Sequence, residues 1–206
     1  MDKYNISTKD QYDSIYRDSI NDPESFWSDI ALRNFIWKSK WEKVLEWDFN
    51  HAKVEWFKGA KLNITENCLD RHLEFNSDKT AIIFEPNNPN ESSEKITYRS
   101  LFERVCQMSN VLKDKGVKKG DRVCIYLPMI PELAVTVLAC ARIGAIHSVV
   151  FAGFSASALS TRINDCESKI VITSDGSYRG NKTIDLKGIV DDALLDAEIV
   201  DTVLVV

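Results

Sequence analysis

The 206-residue sequence lacks the motifs that mark most self-contained nucleotide enzymes and hydrolases. It contains no G-x-x-x-x-G-K-[ST] phosphate loop, no G-x-G-x-x-G dinucleotide fingerprint and no G-x-S-x-G nucleophile elbow. Its three histidines, His51, His72 and His147, have no metal-site spacing. These absences argue against P-loop NTPases, dehydrogenases and zinc enzymes, and they predict no metal ligand in this sequence.

Long apolar runs are also missing. The longest, over residues 133–141, is broken by Thr136 and is too short to span a bilayer. The first residues, Met1-Asp2-Lys3-Tyr4, do not form the apolar core of a secretory signal. The net charge of -5 suits neither nucleic acid nor anionic membranes as partners. We therefore expect a soluble, cytoplasmic protein with no nucleic-acid and no membrane partner.

The spacing of the cysteines does not indicate paired thiols. The five cysteines form no C-x-x-C pair, and their number is odd. Several lie in apolar runs, as in Val105-Cys106 and Ala139-Cys140-Ala141. This usage predicts reduced, buried thiols rather than a disulfide framework or a zinc site.

A shift in composition divides the chain. All five tryptophans lie within the first 56 residues, whereas seven of the eight glycines follow residue 115. The first segment has helical spacing over residues 10–20, and Asp22-Pro23 is typical of a second helix start. We predict a helical, Trp-rich appendage over residues 1–66, packed on a second domain over residues 67–206.

The second segment alternates between strand-like and helix-like patterns. Helices are predicted after Thr97, from Pro131, and over residues 155–164 and 190–195; strands are predicted at 81–84, 95–97, 122–127, 146–151, 169–173 and 202–206. Such alternation predicts an α/β fold with a mostly parallel sheet covered by helices on both faces. Because the sequence ends on an apolar strand, we expect this sheet to be incomplete.

Two polar stretches invite a catalytic or binding interpretation. Cys68 and His72 lie four residues apart and would meet on a helix, as a nucleophile and its base would. The alternative, which we favour, is a cap and a salt bridge at the joint between the two segments, since no oxyanion donor is evident. Residues 113–122 carry five positive charges and two negative ones, and we interpret them as a solvated turn rather than an anion site.

Two glycine-containing segments follow predicted strands. In residues 151–155, Gly153 would let a ligand approach the backbone and Ser155 can cap the next helix. In residues 178–182, Arg179 and Lys182 flank Gly180 and could hold a phosphate. A plain strand–turn–helix joint and an exposed basic loop remain the respective alternatives.

Several long motifs carry a family resemblance. They are GDRVCIYLPMIPE at 120–132, ACARIGAIHSVVFAGFS at 139–155, WFKGAKLN at 56–63 and NCLDRH at 67–72. From about residue 10 to its end, the sequence resembles the N-terminal portion of the AMP-forming acetyl-CoA synthetases, which belong to the adenylate-forming superfamily.

The resemblance implies a two-step ligase reaction. Acetate and ATP give acetyl-AMP and pyrophosphate, and coenzyme A then displaces AMP, with Mg²⁺ at the ATP phosphates. Gly153 corresponds to a glycine against the adenine of coenzyme A, and Arg179 and Lys182 to two cations that hold its 3′-phosphate. Lys182 stands where the family usually has arginine. The resemblance places the adenylation residues downstream, so we predict no catalytic residue here and an inactive chain on its own.

Other functions remain open at this stage. The chain could be a non-catalytic module that binds coenzyme A or a protein partner, or the equivalent part of a propionyl- or acetoacetyl-CoA synthetase. A dehydrogenase fragment has a similar alternating pattern, but the missing G-x-G-x-x-G argues against it. For an active ligase, we expect the remainder of the ligase chain or a second polypeptide to complete the fold.

Overall fold

The computed structural model describes residues 5–206 as two compact units, which divide between Asn63 and Ile64. The elements of the first unit are α1 (Lys9–Asn21), α2 (Pro23–Asn34), β1 (Lys43–Asp48) and β2 (Lys53–Lys58). Thr8 and Gln11 form a capping box at α1, and the Asp22 carboxylate accepts the Ser25 N–H to start α2. Both helices predicted from the sequence are confirmed.

The rest of the first unit contains a pair of strands that the sequence analysis did not predict. β1 and β2 form an antiparallel hairpin, in which Leu45 pairs with Trp56 and Trp47 with Val54. Valine and aromatic residues favour strands because they pack well across a pleated surface. The Trp56 ring also meets the ring of Trp27 from α2 edge-on, with 6.0 Å between centroids.

The second unit carries the α/β pattern. Its elements are α3 (Ile64–Cys68), α4 (Leu73–Asn76), β3 (Thr80–Phe84), β4 (Glu94–Thr97), α5 (Tyr98–Asp114), β5 (Arg122–Tyr126), α6 (Pro131–Ile143), β6 (Ile146–Val149), α7 (Ala156–Cys166), β7 (Ile170–Thr173), β8 (Gly176–Arg179), β9 (Lys182–Asp185), α8 (Leu186–Leu194) and β10 (Thr202–Val205). The pairs β3–β4 and β8–β9 are antiparallel hairpins. The other strands form one parallel sheet in the order β10-β7-β5-β6.

Helices cover both faces of this sheet, as predicted. Alternate side chains of β5 point to opposite faces, so Val123 and Ile125 join a core with α5 and α6. Cys124 and Tyr126 join a second core with α7 and α8. The continuous apolar runs of β5 and β7 follow from this burial on two sides.

Several details differ from the expectations. β10 was expected to be buried but lies at the sheet edge, where Val205 is 49% exposed. Residues 176–185 form a hairpin instead of a loop, and α8 begins at Leu186, four residues before the predicted start. All five cysteines are unpaired, but only Cys124 and Cys140 are buried; Cys68 is exposed.

Candidate functional site

The carboxyl edge of the parallel sheet has the topology of a ligand site. β5 and β7 are neighbours, yet the chain leaves β5 toward α6 on one face and leaves β7 toward α8 on the other. Such divergence opens a crevice beyond the strand ends, where α/β proteins bind ligands. Both glycine-containing segments lie beyond this edge: residues 151–155 follow β6, and residues 178–182 follow β7.

The loop after β6 places Gly153 in a backbone conformation that favours glycine. Its φ is +117°, and a Cβ there would meet only the Phe151 ring, at 3.7 Å. The requirement for glycine is therefore conformational, and the space beside the backbone is open. Ser155 caps α7 by accepting the Ala158 N–H, as predicted.

Tyr126, at the end of β5, holds this loop, and the sequence analysis missed it. Its hydroxyl accepts the Gly153 N–H at 3.0 Å and donates to the Phe154 carbonyl at 2.8 Å. Burial raises the pKa of Tyr126, so the hydroxyl keeps the proton that it donates. A lone tyrosine within an apolar strand was the available signal, since a buried phenol needs a polar partner.

The hairpin after β7 brings the two predicted cations together. Arg179 is the direct cross-strand partner of Lys182, so both side chains lie on one face of the β8–β9 hairpin. Gly180, at the first position of the two-residue turn, has a φ of +62°, and type II′ hairpin turns require glycine there. An exposed loop would not fix this geometry, whereas the register of the hairpin does.

Within residues 5–206, no acidic side chain neutralises either cation. Both side chains are exposed, and within residues 5–206 no carboxylate forms an ion pair with Arg179 or Lys182. Like charges placed directly across a hairpin repel each other. A dianionic phosphate would relieve that repulsion and accept hydrogen bonds from both side chains. No hydrogen bond or ion pair in the described part of the chain joins Gly153 to either cation.

The other candidate residues have structural roles. α3 ends at Cys68, and His72 packs against the Tyr98 ring at 5.0 Å between centroids, so the two do not share a helix. Asp70 instead forms a two-pronged salt bridge with Arg142, at 2.8 and 3.0 Å. This supports the salt-bridge interpretation of that segment. Within residues 113–122, residues 115–121 form the turn between α5 and β5, while Lys113 and Asp114 end α5 and Arg122 begins β5.

Two features that would indicate a metal or membrane partner are absent from residues 5–206. Over residues 5–206, no group of three or more His, Cys, Asp or Glu side chains is arranged to hold a metal ion. No helix in that part of the chain combines the length and apolar composition needed to cross a membrane.

The parallel sheet with helices on both faces defines an α/β protein, and comparison with known families identifies its class. A family model described as AMP-binding enzyme matches residues 69–206, and one described as Acetyl-coenzyme A synthetase N-terminus matches residues 12–68. The chain belongs to the AMP-binding enzyme family.

Individual relatives agree with this assignment. The chain is 54% identical over 199 residues to the acetyl-coenzyme A synthetase of Alkalilimnicola ehrlichii and 56% identical over 197 residues to that of Desulfatibacillum aliphaticivorans. These matches cover 97% and 95% of the chain but only 31% and 30% of the relatives. The fold matches the acetoacetyl-CoA synthetase of Streptomyces lividans with a TM-score of 0.83, at 25% identity, over 92% of this chain and 29% of that one.

Proposed function

We propose that the chain carries the coenzyme A contacts of an acetate–CoA ligase that converts acetate, ATP and coenzyme A to acetyl-CoA, AMP and pyrophosphate. The observation that carries this proposal is the register of the β8–β9 hairpin, which sets Arg179 directly opposite Lys182 without an acid partner in the described chain. Two exposed cations on one face match the charge of the 3′-phosphate of coenzyme A.

The loop after β6 supplies the second part of the proposed site. Gly153 leaves open space beside its backbone, which suits the flat face of an adenine ring. Tyr126 holds the loop through two hydrogen bonds, so the proposed binding surface would be ordered before the ligand arrives. Arg179 and Lys182 would hold the phosphate, and Gly153 would contact the base.

The names of the relatives are the basis for the substrates that we propose. Relatives with 52–56% identity are named acetyl-coenzyme A synthetases, so we propose acetate rather than propionate or acetoacetate. ATP and Mg²⁺ would serve the complete enzyme, where the metal neutralises charge on the ATP phosphates. The chain spans about 30% of the length of these relatives, and none of its described residues is assigned to ATP.

The sheet edges support a requirement for further polypeptide. Val205 and Val206 are 49% and 42% exposed on and after β10, and Ile146 of β6 is 55% exposed at the opposite edge. Apolar edge strands pair readily with another chain. We propose that the remainder of a ligase chain or a second polypeptide covers them, in the reducing cytoplasm that unpaired thiols favour.

Calorimetric titration of the purified protein with coenzyme A and with dephospho-coenzyme A tests the site. The two ligands differ only in the 3′-phosphate, so the proposal expects tighter binding of coenzyme A. Arg179→Ala should weaken coenzyme A binding by roughly tenfold or more and leave dephospho-coenzyme A unchanged. Lys115→Ala, which removes an exposed cation at the end of α5, is the matched control. Equal affinity of the unaltered protein for both ligands would overturn the proposal.

A further inference from the structure

The tip of the β8–β9 hairpin is tied to a distant loop. The side-chain amide of Asn87 donates a hydrogen bond to the carbonyl oxygen of Gly180 at 3.3 Å, across 93 positions of sequence. Among residues 5–206, this is the one hydrogen bond that joins residues 179–182 to a part of the chain outside the hairpin.

We propose that Asn87 is a positioning residue for the two cations, a role that rests on the coenzyme A function proposed above. The Gly180 carbonyl belongs to the central peptide of the turn between Arg179 and Lys182. Type I′ and type II′ turns differ chiefly in the orientation of that peptide. Holding the carbonyl therefore keeps the turn in one form and both cations on one phosphate-facing surface.

The hairpin register sets Arg179 opposite Lys182, but the turn residues themselves restrain the form of the turn only weakly. Gly180 has no side chain, and apart from Gly180 and its two chain neighbours no atom of the described residues lies within 4 Å of the place that a Cβ would occupy. Glycine has the largest conformational freedom to lose on ordering, and like charges at positions 179 and 182 oppose the closed form. Ordering the turn before the ligand binds lowers the entropy cost of binding.

The loop that carries Asn87 is itself restrained. Pro86 and Pro89 flank the Asn87-Asn88 pair and limit its backbone conformations. The Asn88 side chain accepts the Asn90 N–H at 3.1 Å and donates to Glu91 at 3.1 Å, which closes the loop on itself. Asn87 is left to face the hairpin, and its neutral amide adds no negative charge beside a phosphate site.

The test compares the affinity ratio of coenzyme A to dephospho-coenzyme A in the purified protein and its variants. Asn87→Ala should reduce this preference by roughly two- to tenfold, because one exposed hydrogen bond is lost. The binding of dephospho-coenzyme A should stay unchanged. Asn90→Ala is the matched control, since it removes the same side chain from the same loop and no hydrogen bond of that side chain occurs in the described chain. It should leave the preference intact.

A double variant separates positioning from general stability. With Arg179 replaced by alanine, Asn87→Ala should have no further effect on the affinity ratio, because the turn then presents only one cation.

The possible outcomes separate the inference from the proposed function. A preference for coenzyme A that survives Asn87→Ala overturns the inference and leaves the proposed function standing. An unaltered protein with no preference at all overturns the proposed function. A change in melting temperature with an unchanged ratio shows a purely structural role for Asn87 and also overturns the inference.

Discussion

The amide of Gly153 donates a hydrogen bond to the hydroxyl of Tyr126, over 3.0 Å, and so ties the loop after β6 to the end of the neighbouring strand β5. The two residues are 27 positions apart in sequence. Because the Tyr126 side chain lies in the second core, the loop inherits the rigidity of the sheet.

Removing only the hydroxyl oxygen of Tyr126 tests the contribution of this hydrogen bond. Tyr126→Phe should lower the free energy of unfolding by about 1 kcal/mol, because the Gly153 N–H and the Phe154 carbonyl both lose their partner. Urea denaturation measures the change. Tyr178→Phe is the control, since Tyr178 is 68% exposed, and its loss should be within about 0.5 kcal/mol. Equal effects of the two variants would show that the Tyr126 hydroxyl has no special role.

The Asp70–Arg142 salt bridge should contribute more than the other ion pairs of the second unit. It is two-pronged, both side chains are less than a third exposed, and the guanidinium also lies 4.9 Å from the centre of the Phe102 ring. Asp70 raises the pKa of Arg142, so the cation persists at any ordinary pH. Asp70→Asn should cost about 1–2 kcal/mol of stability.

Asp191→Asn is the matched control for that measurement. It breaks the Lys187–Asp191 pair on α8, in which the carboxylate is 56% exposed. Exposed pairs at this helical spacing contribute about 0.3–0.5 kcal/mol. Chemical denaturation in low and high salt checks both variants, and a smaller loss for Asp70→Asn than for Asp191→Asn would contradict the assignment.

The sequence predicted the parallel sheet well because local signals and burial agree there. Pro131 and Gly144 mark the two ends of α6, and the apolar runs of β5 and β7 identify strands buried on both faces. The β1–β2 hairpin was missed because its connection contains none of the short turn dipeptides that mark a hairpin; alternation of Trp47 with polar neighbours was the remaining signal.

The residues of the candidate site could be predicted from the sequence, but their arrangement in space could not. Arg179 and Lys182 were identified by charge and by resemblance, but their cross-strand register depends on the turn at Gly180. The contacts of Tyr126 with Gly153 and of Asn87 with Gly180 join positions 27 and 93 residues apart. Such pairings depend on the folded chain path, and no local pattern encodes them.

Replacing Lys182 with arginine should strengthen the proposed binding of the 3′-phosphate. A guanidinium offers a planar fork of donors, whereas the lysine ammonium is a point charge. Lys182→Arg should raise the affinity for coenzyme A roughly three- to tenfold and leave dephospho-coenzyme A unaffected. Lys182→Ala should act in the opposite direction. Titration calorimetry gives both values, and Lys187→Arg on α8 controls for a nonspecific gain in charge contacts.

The five thiols should fall into reactivity classes set by burial. Burial raises the pKa of Cys124 and of Cys140 to about 12, whereas Cys68 is exposed. At pH 8, a thiol reagent should therefore modify Cys68 rapidly and the two buried thiols only after unfolding. Peptide mass mapping of the native protein checks the order. Rapid labelling of Cys124 in the native protein would contradict its burial between β5 and the α7–α8 layer.

The same two thiols predict a loss of stability at alkaline pH. Above the ordinary thiol pKa of 9.0, the unfolded chain ionises these groups, while the folded chain keeps them protonated up to about 12. The unfolded state therefore binds fewer protons, and the free energy of unfolding falls as the pH rises between those values. Cys140→Ser should reduce the slope of that fall. An identical slope in the variant would show that other groups control the alkaline limit.

Residues 1–206 alone should not adenylate acetate. The chain spans only 31% of the length of the acetyl-coenzyme A synthetase of Alkalilimnicola ehrlichii, and the resemblance places the adenylation residues downstream. Acetate-dependent exchange of labelled pyrophosphate into ATP should therefore stay at background, while the acetyl-coenzyme A synthetase of Alkalilimnicola ehrlichii serves as the positive control. Coenzyme A binding by the same preparation would show that the chain is folded. Exchange above background would mean that adenylation residues lie within this chain, and the assignment of its loops to coenzyme A alone would then be wrong.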